Sequence, residues 1–146
     1  MNTFRKIRTL VIDDDYPTPW TYDVKTFLEN TGEFEVFCET DAHKAVAFAC
    51  NLMPDLILVD MSMNIVDGPE LLKQMESRAE LNGTAFMYCT AQLATGADAK
   101  IRHGVQGKWR FFAKDEELDN LLARIANLLL LKHKYKVPTG VELTKS

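Results

Sequence analysis

The sequence predicts an α/β domain, a parallel β-sheet with helices on both faces, and three observations carry that reading. Short apolar runs alternate with helix-like segments from one end of the chain to the other. One run, Leu56-Ile57-Leu58-Val59, is apolar at four successive positions, as a central strand buried on both faces requires; a half-buried strand would alternate. The 146 residues are 47% hydrophobic and 26% charged, the balance of one folded domain and not of a disordered or fibrous chain.

The first strand is Ile7 to Ile12, and it ends in three consecutive aspartates, Asp13 to Asp15. Thr18 then supplies an N-cap, and Pro19 a first helical residue, for a helix carrying Trp20, Val24, Phe27 and Leu28 on one face. Asn30-Thr31-Gly32 breaks that helix ahead of a second strand, Phe34 to Phe37. Thr40 or Asp41 caps the next helix, where Val46, Ala49 and Cys50 repeat at helical spacing. The third strand, Leu56 to Val59, ends at Asp60. After a loop, Asp67-Gly68-Pro69 opens a helix with Leu71, Leu72 and Met75, and Asn82-Gly83 closes it before a fourth strand, Ala85 to Cys89, that ends at Thr90-Ala91.

Gln92 to Gly104 holds two glycines and few large apolar side chains, so it reads as a helix held by weak packing. Trp109 to Ala113 makes a fifth strand ending at Lys114, and the last helix presents Leu118, Leu121, Leu122, Ile125, Leu128 and Leu129 along one stripe. Leu130 and Leu131 widen that stripe beyond what one sheet face uses and suggest an interaction surface. Residues 1–136 form the domain on this reading, and 137–146 a flexible tail or the start of a linker.

Composition narrows the function. The 17 basic and 21 acidic residues give a formal charge of −4, which repels a phosphate backbone, so nucleic acid is not an expected partner. The basic stretch Lys100, Arg102, His103, Lys108 and Arg110 has Trp109 as its only interleaved aromatic and reads as a solvated or partner-facing surface. The longest apolar runs are a handful of residues, far below the roughly 18–20 that cross a bilayer. Asp13 to Asp15 interrupt the first apolar stretch too early for a signal-peptide core, which points to the cytoplasm. Cys38, Cys50 and Cys89 are odd in number and lack a C-x-x-C spacing, so they read as buried free thiols and not as disulfides or zinc ligands. His43, His103 and His133 have no ligand-like partner at suitable spacing.

In a parallel sheet, functional side chains gather at the carboxyl ends of the strands. Those ends carry Asp13 and Asp14 after the first strand, Asp60 after the third, Thr90 after the fourth and Lys114 after the fifth; the second gives only Cys38 and Glu39, as expected of an edge strand. Three carboxylates at one sheet edge repel each other and need cations to offset them. Oxygen donors with no histidine or thiol favour magnesium over zinc. Lys114 adds a positive charge and Thr90 a hydroxyl donor. Such a set suits phosphoryl transfer, with Asp60 attacking phosphorus in line to give an aspartyl phosphate.

At these residues the chain resembles the receiver domain of two-component response regulators. The resemblance rests on Leu10-Val11-Ile12-Asp13-Asp14-Asp15, on Leu58-Val59-Asp60-Met61-Ser62-Met63 followed by Asp67-Gly68, on Thr90-Ala91, and on Phe111-Phe112-Ala113-Lys114, with Thr90 lying 30 residues beyond Asp60. It implies a flavodoxin-like (βα)5 fold, a three-layer sandwich with sheet order 2-1-3-4-5. It also implies that Asp60 accepts phosphate from a sensor histidine kinase or phosphotransfer protein. Asp14, Asp60 and the Ser62 carbonyl would bind Mg²⁺, with Asp13 acting through water. Thr90, Ala91 and Lys114 would hold the phosphoryl group. Thr90 and Phe111 would switch, remodelling the face made by the fourth helix, fifth strand and fifth helix, through which a homodimer would form.

The chain departs from the family pattern at three places. Asp115 replaces the usual proline after Lys114, which predicts a trans bond or a reshaped loop, because a non-proline cis bond costs about 3–4 kcal/mol. Asn64 replaces the proline usual after the phosphate acceptor, and the stretch from Thr90 to Lys114 is longer than usual. Ser62 and Gln92 occupy positions that modulate loss of the phosphate. Asp115 and Asn64 motivate a second reading, a degenerate receiver that binds partners without phosphorylation. A third, a haloacid-dehalogenase-type phosphatase, wants D-x-D-x-[TV] at its first strand, where Asp13-Asp14-Asp15-Tyr16-Pro17 ends in proline.

Overall fold

The computed structural model describes residues 5–14, 18–60, 68–90, 103–106, 109–114 and 117–133. In chain order the elements are β1 (Ile7–Ile12), α1 (Pro19–Asn30), β2 (Phe34–Glu39), α2 (Ala42–Leu52), β3 (Leu56–Asp60), α3 (Gly68–Glu76), a 3₁₀ turn at Ala79–Leu81, β4 (Ala85–Thr90), β5 (His103–Gln106), β6 (Trp109–Ala113) and α4 (Leu118–His133). The sheet order is β2-β1-β3-β4-β6-β5. The pairs β1·β2, β1·β3, β3·β4 and β4·β6 are parallel. These five strands keep the order expected from the sequence, with β6 in the place of the predicted fifth strand.

The pleat sends alternate residues of each central strand to opposite faces, which is why β3 is apolar from Leu56 to Val59. Val11, Leu56, Leu58 and Met87 pack on one face with Val24 and Leu28 of α1 and Leu121, Ile125 and Leu129 of α4. Leu10, Ile12, Ile57 and Val59 pack on the other with Ala42, Ala45 and Ala49 of α2 and Leu71, Leu72 and Met75 of α3. The small alanines on α2 bring that helix close to the sheet. The result is three layers.

Local chemistry fixes the helix starts. Thr18 and Thr21 form a reciprocal capping box at α1, with Pro19 at the first helical position. Asp41 caps α2 by accepting from the His43 N–H at 2.9 Å. At the end of α2, Met53 adopts the left-handed conformation, φ 50°, which closes the helix where glycine or asparagine fits more easily.

Three expectations need correction. His103 and Gly104, read as the end of a helix, lie in β5, which runs antiparallel to β6 with His103 opposite Phe112 and Gln106 opposite Trp109. The rest of that segment, 91–102, lies outside the described residues. The helix after β3 stops at Glu76 and not at Asn82, and the 3₁₀ turn that follows buries Leu81 in the core. Of the three cysteines only Cys89 is fully buried, while Cys38 and Cys50 are half-buried.

Candidate functional site

The register of the sheet brings the acidic residues together. Ile12 stands opposite Val59, so the next residues of the two strands, Asp13 and Asp60, emerge side by side. Asp60 is in turn opposite Cys89, and Thr90 is opposite Ala113, which places Thr90 and Lys114 at the same edge. Backbone bonds lock these ends: the Asp13 N–H donates to the Glu39 carbonyl at 3.1 Å, and the Lys114 N–H to the Thr90 carbonyl at 2.8 Å.

Asp13 and Asp60 are 1% and 6% exposed, and Asp14 is half-buried. One carboxylate oxygen from each of the three lies within 4.8 Å of the others. At about 4 Å, two like charges repel by roughly 4 kcal/mol at an effective dielectric constant near 20, so the cluster needs positive charge. Lys114 supplies one: its Nζ lies 3.2 Å from Asp60 Oδ1 and 3.5 Å from Asp13 Oδ2. That one ammonium is shared between two of the three carboxylates. The cluster's donors are all hard oxygens, the set that Mg²⁺ accepts. The neighbouring thiol does not compete, because burial pushes Cys89 well above the ordinary thiol value of 9.0, although Lys114 pulls the other way.

Thr90, 7% exposed, ends β4 at this edge. Phe111 is buried on the α2–α3 face, and its ring stacks on Tyr88 of the neighbouring strand with centroids 5.7 Å apart and planes at 23°. Burial also raises the Tyr88 hydroxyl above its ordinary range. Thus Asp13, Asp14, Asp60, Thr90 and Lys114 share one sheet edge, while Phe111, three residues before Lys114 on β6, lies in the core. Ser62, Ala91, Asn64, Gln92 and Asp115 lie outside the described residues, as do Asp15, Lys108 and residues 137–146.

One neighbour was not read as part of the site. Helical spacing puts Trp20 on the packed face of α1, and it does pack against the core, but Lys114 Nζ also sits 4.9 Å from its ring centroid. A signal existed: α1 begins just after β1, so its first turn starts at the sheet edge that carries Asp13 and Asp14.

The response regulator receiver domain family matches residues 9–126, most of the chain. The chain belongs to this family. Over 124 residues it is 30% identical to the response regulator Rre1 of Synechocystis sp., covering 84% of this chain and 52% of that protein. Over 129 residues it is 23% identical to the sensor histidine kinase TmoS of Ectopseudomonas mendocina, covering 86% of this chain and 12% of that protein. The receiver domain thus spans about half of one relative and a small part of the other. Its fold is similar to the CheY-like receiver domain protein of Methanospirillum hungatei, with a TM-score of 0.71 at 24% identity over 90% of this chain and 100% of that one. The chemotaxis response regulator CheY4 of Vibrio cholerae gives a TM-score of 0.68 at 21% identity over 85% and 99%. Among the described residues, no helix is long and apolar enough to cross a membrane.

Proposed function

We propose that this receiver domain is a phospho-acceptor switch whose acceptor is Asp60. The observation that supports it most strongly is the meeting of three carboxylates with Lys114 at one sheet edge. A carboxylate oxygen of Asp60 attacks phosphorus of a phosphohistidine on a sensor kinase or phosphotransfer protein. The new P–O bond forms as the P–N bond breaks, and the imidazole nitrogen leaves with the electron pair and takes up a proton. Lys114 meets the phosphoryl oxygens from the side where it now touches Asp60. Thr90 donates its hydroxyl to the same group.

The acidic cluster fits Mg²⁺, which Asp14 and Asp60 would hold, with Asp13 acting through water; the family resemblance adds the Ser62 carbonyl as a further ligand. When bound, the metal would neutralise charge on the cluster and on the transferring group. Acceptance adds about −1.5 to −2 charge at Asp60 and three acceptor oxygens, which draws Thr90 and Lys114 inward. Phe111, stacked on Tyr88 of Thr90's strand, carries that change to the face formed by the segment after β4, by β6 and by α4. That face is the output surface, offered to a downstream protein or a second copy in a cytoplasmic setting.

The test is electrophoresis in a phosphate-retarding gel after treatment with acetyl phosphate and Mg²⁺. A retarded band that disappears in Asp60→Asn supports the switch. Its absence from the wild-type chain supports a receiver acting without phosphorylation, and steady release of phosphate from an ester substrate supports a phosphatase.

A further inference from the structure

Trp20 stands where an apolar core alone has no need of an indole. It is the second residue of α1, and the first turn of that helix is fixed by Pro19 and by the Thr18–Thr21 capping box, in which the Thr21 N–H donates to Thr18 Oγ1 at 3.1 Å and the Thr18 N–H to Thr21 Oγ1 at 2.9 Å. The ring packs against the core cluster shared by α1 and α4, a role leucine or phenylalanine fills equally well. The indole brings something those residues lack, a buried Nε1–H that meets no acceptor among the described residues. Leaving such a donor unmet works against folding. What the tryptophan gains is on its face, where the Lys114 ammonium lies 4.9 Å from the ring centroid, inside the range of about 6 Å over which a cation is held by an aromatic ring.

We infer that Trp20 is a positioning residue for Lys114: its ring holds the ammonium over the acid cluster, so that the lysine is already in place when phosphorus reaches Asp60. This rests on the reading of Asp60 as phospho-acceptor. Lysine carries its charge on a flexible four-carbon stem, and carboxylates alone hold an ammonium without fixing its direction of approach. Here three elements fix it, with Asp13 from β1, Asp60 from β3 and Trp20 from α1. The same tethering keeps a positive charge beside two of the carboxylates that would hold a divalent cation, so it opposes the metal in the absence of phosphate while it favours the phosphoryl group.

That opposition gives the test. The full chain is compared with Trp20→Leu and Trp20→Phe by three measurements: the initial rate of phosphorylation by acetyl phosphate, the affinity for Mn²⁺ alone by paramagnetic resonance, and the chemical shift of the Lys114 ε-methylene protons. In the wild-type chain those protons are expected upfield of the other lysines through the ring current. Trp20→Leu should lose that shift, slow phosphorylation about tenfold and bind Mn²⁺ as tightly as before or more tightly, with Trp20→Phe recovering most of the rate. An unshifted Lys114 in the wild type, an unchanged rate in Trp20→Leu, or rate and metal affinity falling together would overturn the inference. The wild-type shift needs no variant, so a leucine variant that fails to fold does not spoil the test. A wild-type chain that shows the shift but takes no phosphate would refute the phospho-acceptor reading and, with it, the purpose assigned to Trp20.

Discussion

Strand β3 has a buried aspartate close to each end, and the two are treated in opposite ways. Asp55, just before the strand, receives two guanidinium N–H groups of Arg5 at 2.8 and 2.9 Å and the Arg8 N–H at 2.9 Å. Its own N–H donates to the Arg8 carbonyl, and the adjacent Thr84 hydroxyl donates to the Pro54 carbonyl at 2.7 Å. Asp60, at the other end, has the same 6% exposure but shares one ammonium with Asp13 and faces two further carboxylates. Burial of a carboxylate is therefore uninformative by itself. The charge balance around it separates a residue that ties the fold together from one placed to receive something.

The largest expected effect is a difference in sign. Asp55→Asn should cost about 2 kcal/mol, because a charge-assisted fork is lost and the Arg8 N–H keeps a weaker acceptor. Asp60→Asn should instead gain about 1 kcal/mol, because it removes one of three repelling charges. Urea unfolding of the two variants beside the wild type decides this; two losses of similar size would erase the distinction between the ends.

Mg²⁺ sharpens it further. At 100 times its dissociation constant, a metal that binds only the folded chain adds about 2.7 kcal/mol. Thermal unfolding should show that increment in the wild type and in Asp55→Asn, and lose it in Asp60→Asn or after chelation. An equal response in all three chains would place the metal elsewhere.

The Asp60 end should also set the alkaline limit. Burial raises Cys89 above the ordinary 9.0, so above that pH the unfolded chain gives up a proton that the native chain keeps. Stability is then fully present below pH 9 and falls as pH rises beyond it, by at most about 1.4 kcal/mol per pH unit for this group. Half-buried Cys50 is raised as well and adds to the slope. Cys89→Ala should flatten the decline between pH 9 and 10 in denaturant titrations, and an unaltered slope would count against it.

The smallest effect belongs to the opposite end. Met53, 59% exposed and at positive φ, should give way to glycine with a gain of about 0.5–1 kcal/mol, read as a shift in urea midpoint with no effect on phosphorylation.

Much of the Asp60 end is legible in the sequence because it follows from short-range pattern. The unbroken run Leu56 to Val59 marks a central strand, and in a parallel sheet the residues at the carboxyl ends meet whatever their separation in sequence, which is how Asp13, Asp60, Thr90 and Lys114 were found together. Strand β5 was not legible. His103-Gly104-Val105-Gln106 holds one large apolar side chain in four residues, and its identity as a strand comes from backbone pairing with β6. Nor was the contact of Trp20 with Lys114, since it depends on how the chain between β1 and α1 is routed. The role of Asp55 is not legible for a simpler reason. It lies at the amino end, where the topological rule gives no cause to look.

Because β5 descends beside β6, the chain leaves β4 and enters β5 at the same rim. Thr90 is level with Ala113, and His103 with Phe112, so the departure and return points are separated by two strand spacings, roughly 10 Å. In an ordinary crossover the linking chain must also travel the height of the sheet, but here β5 itself makes that journey. The described residues that flank 91–102, Thr90 and His103, thus both stand at the rim that bears Asp60. The register of Lys114 is set instead by the β4–β6 ladder, with Thr90 opposite Ala113, so a change of chain length between Thr90 and His103 should leave Lys114 in place.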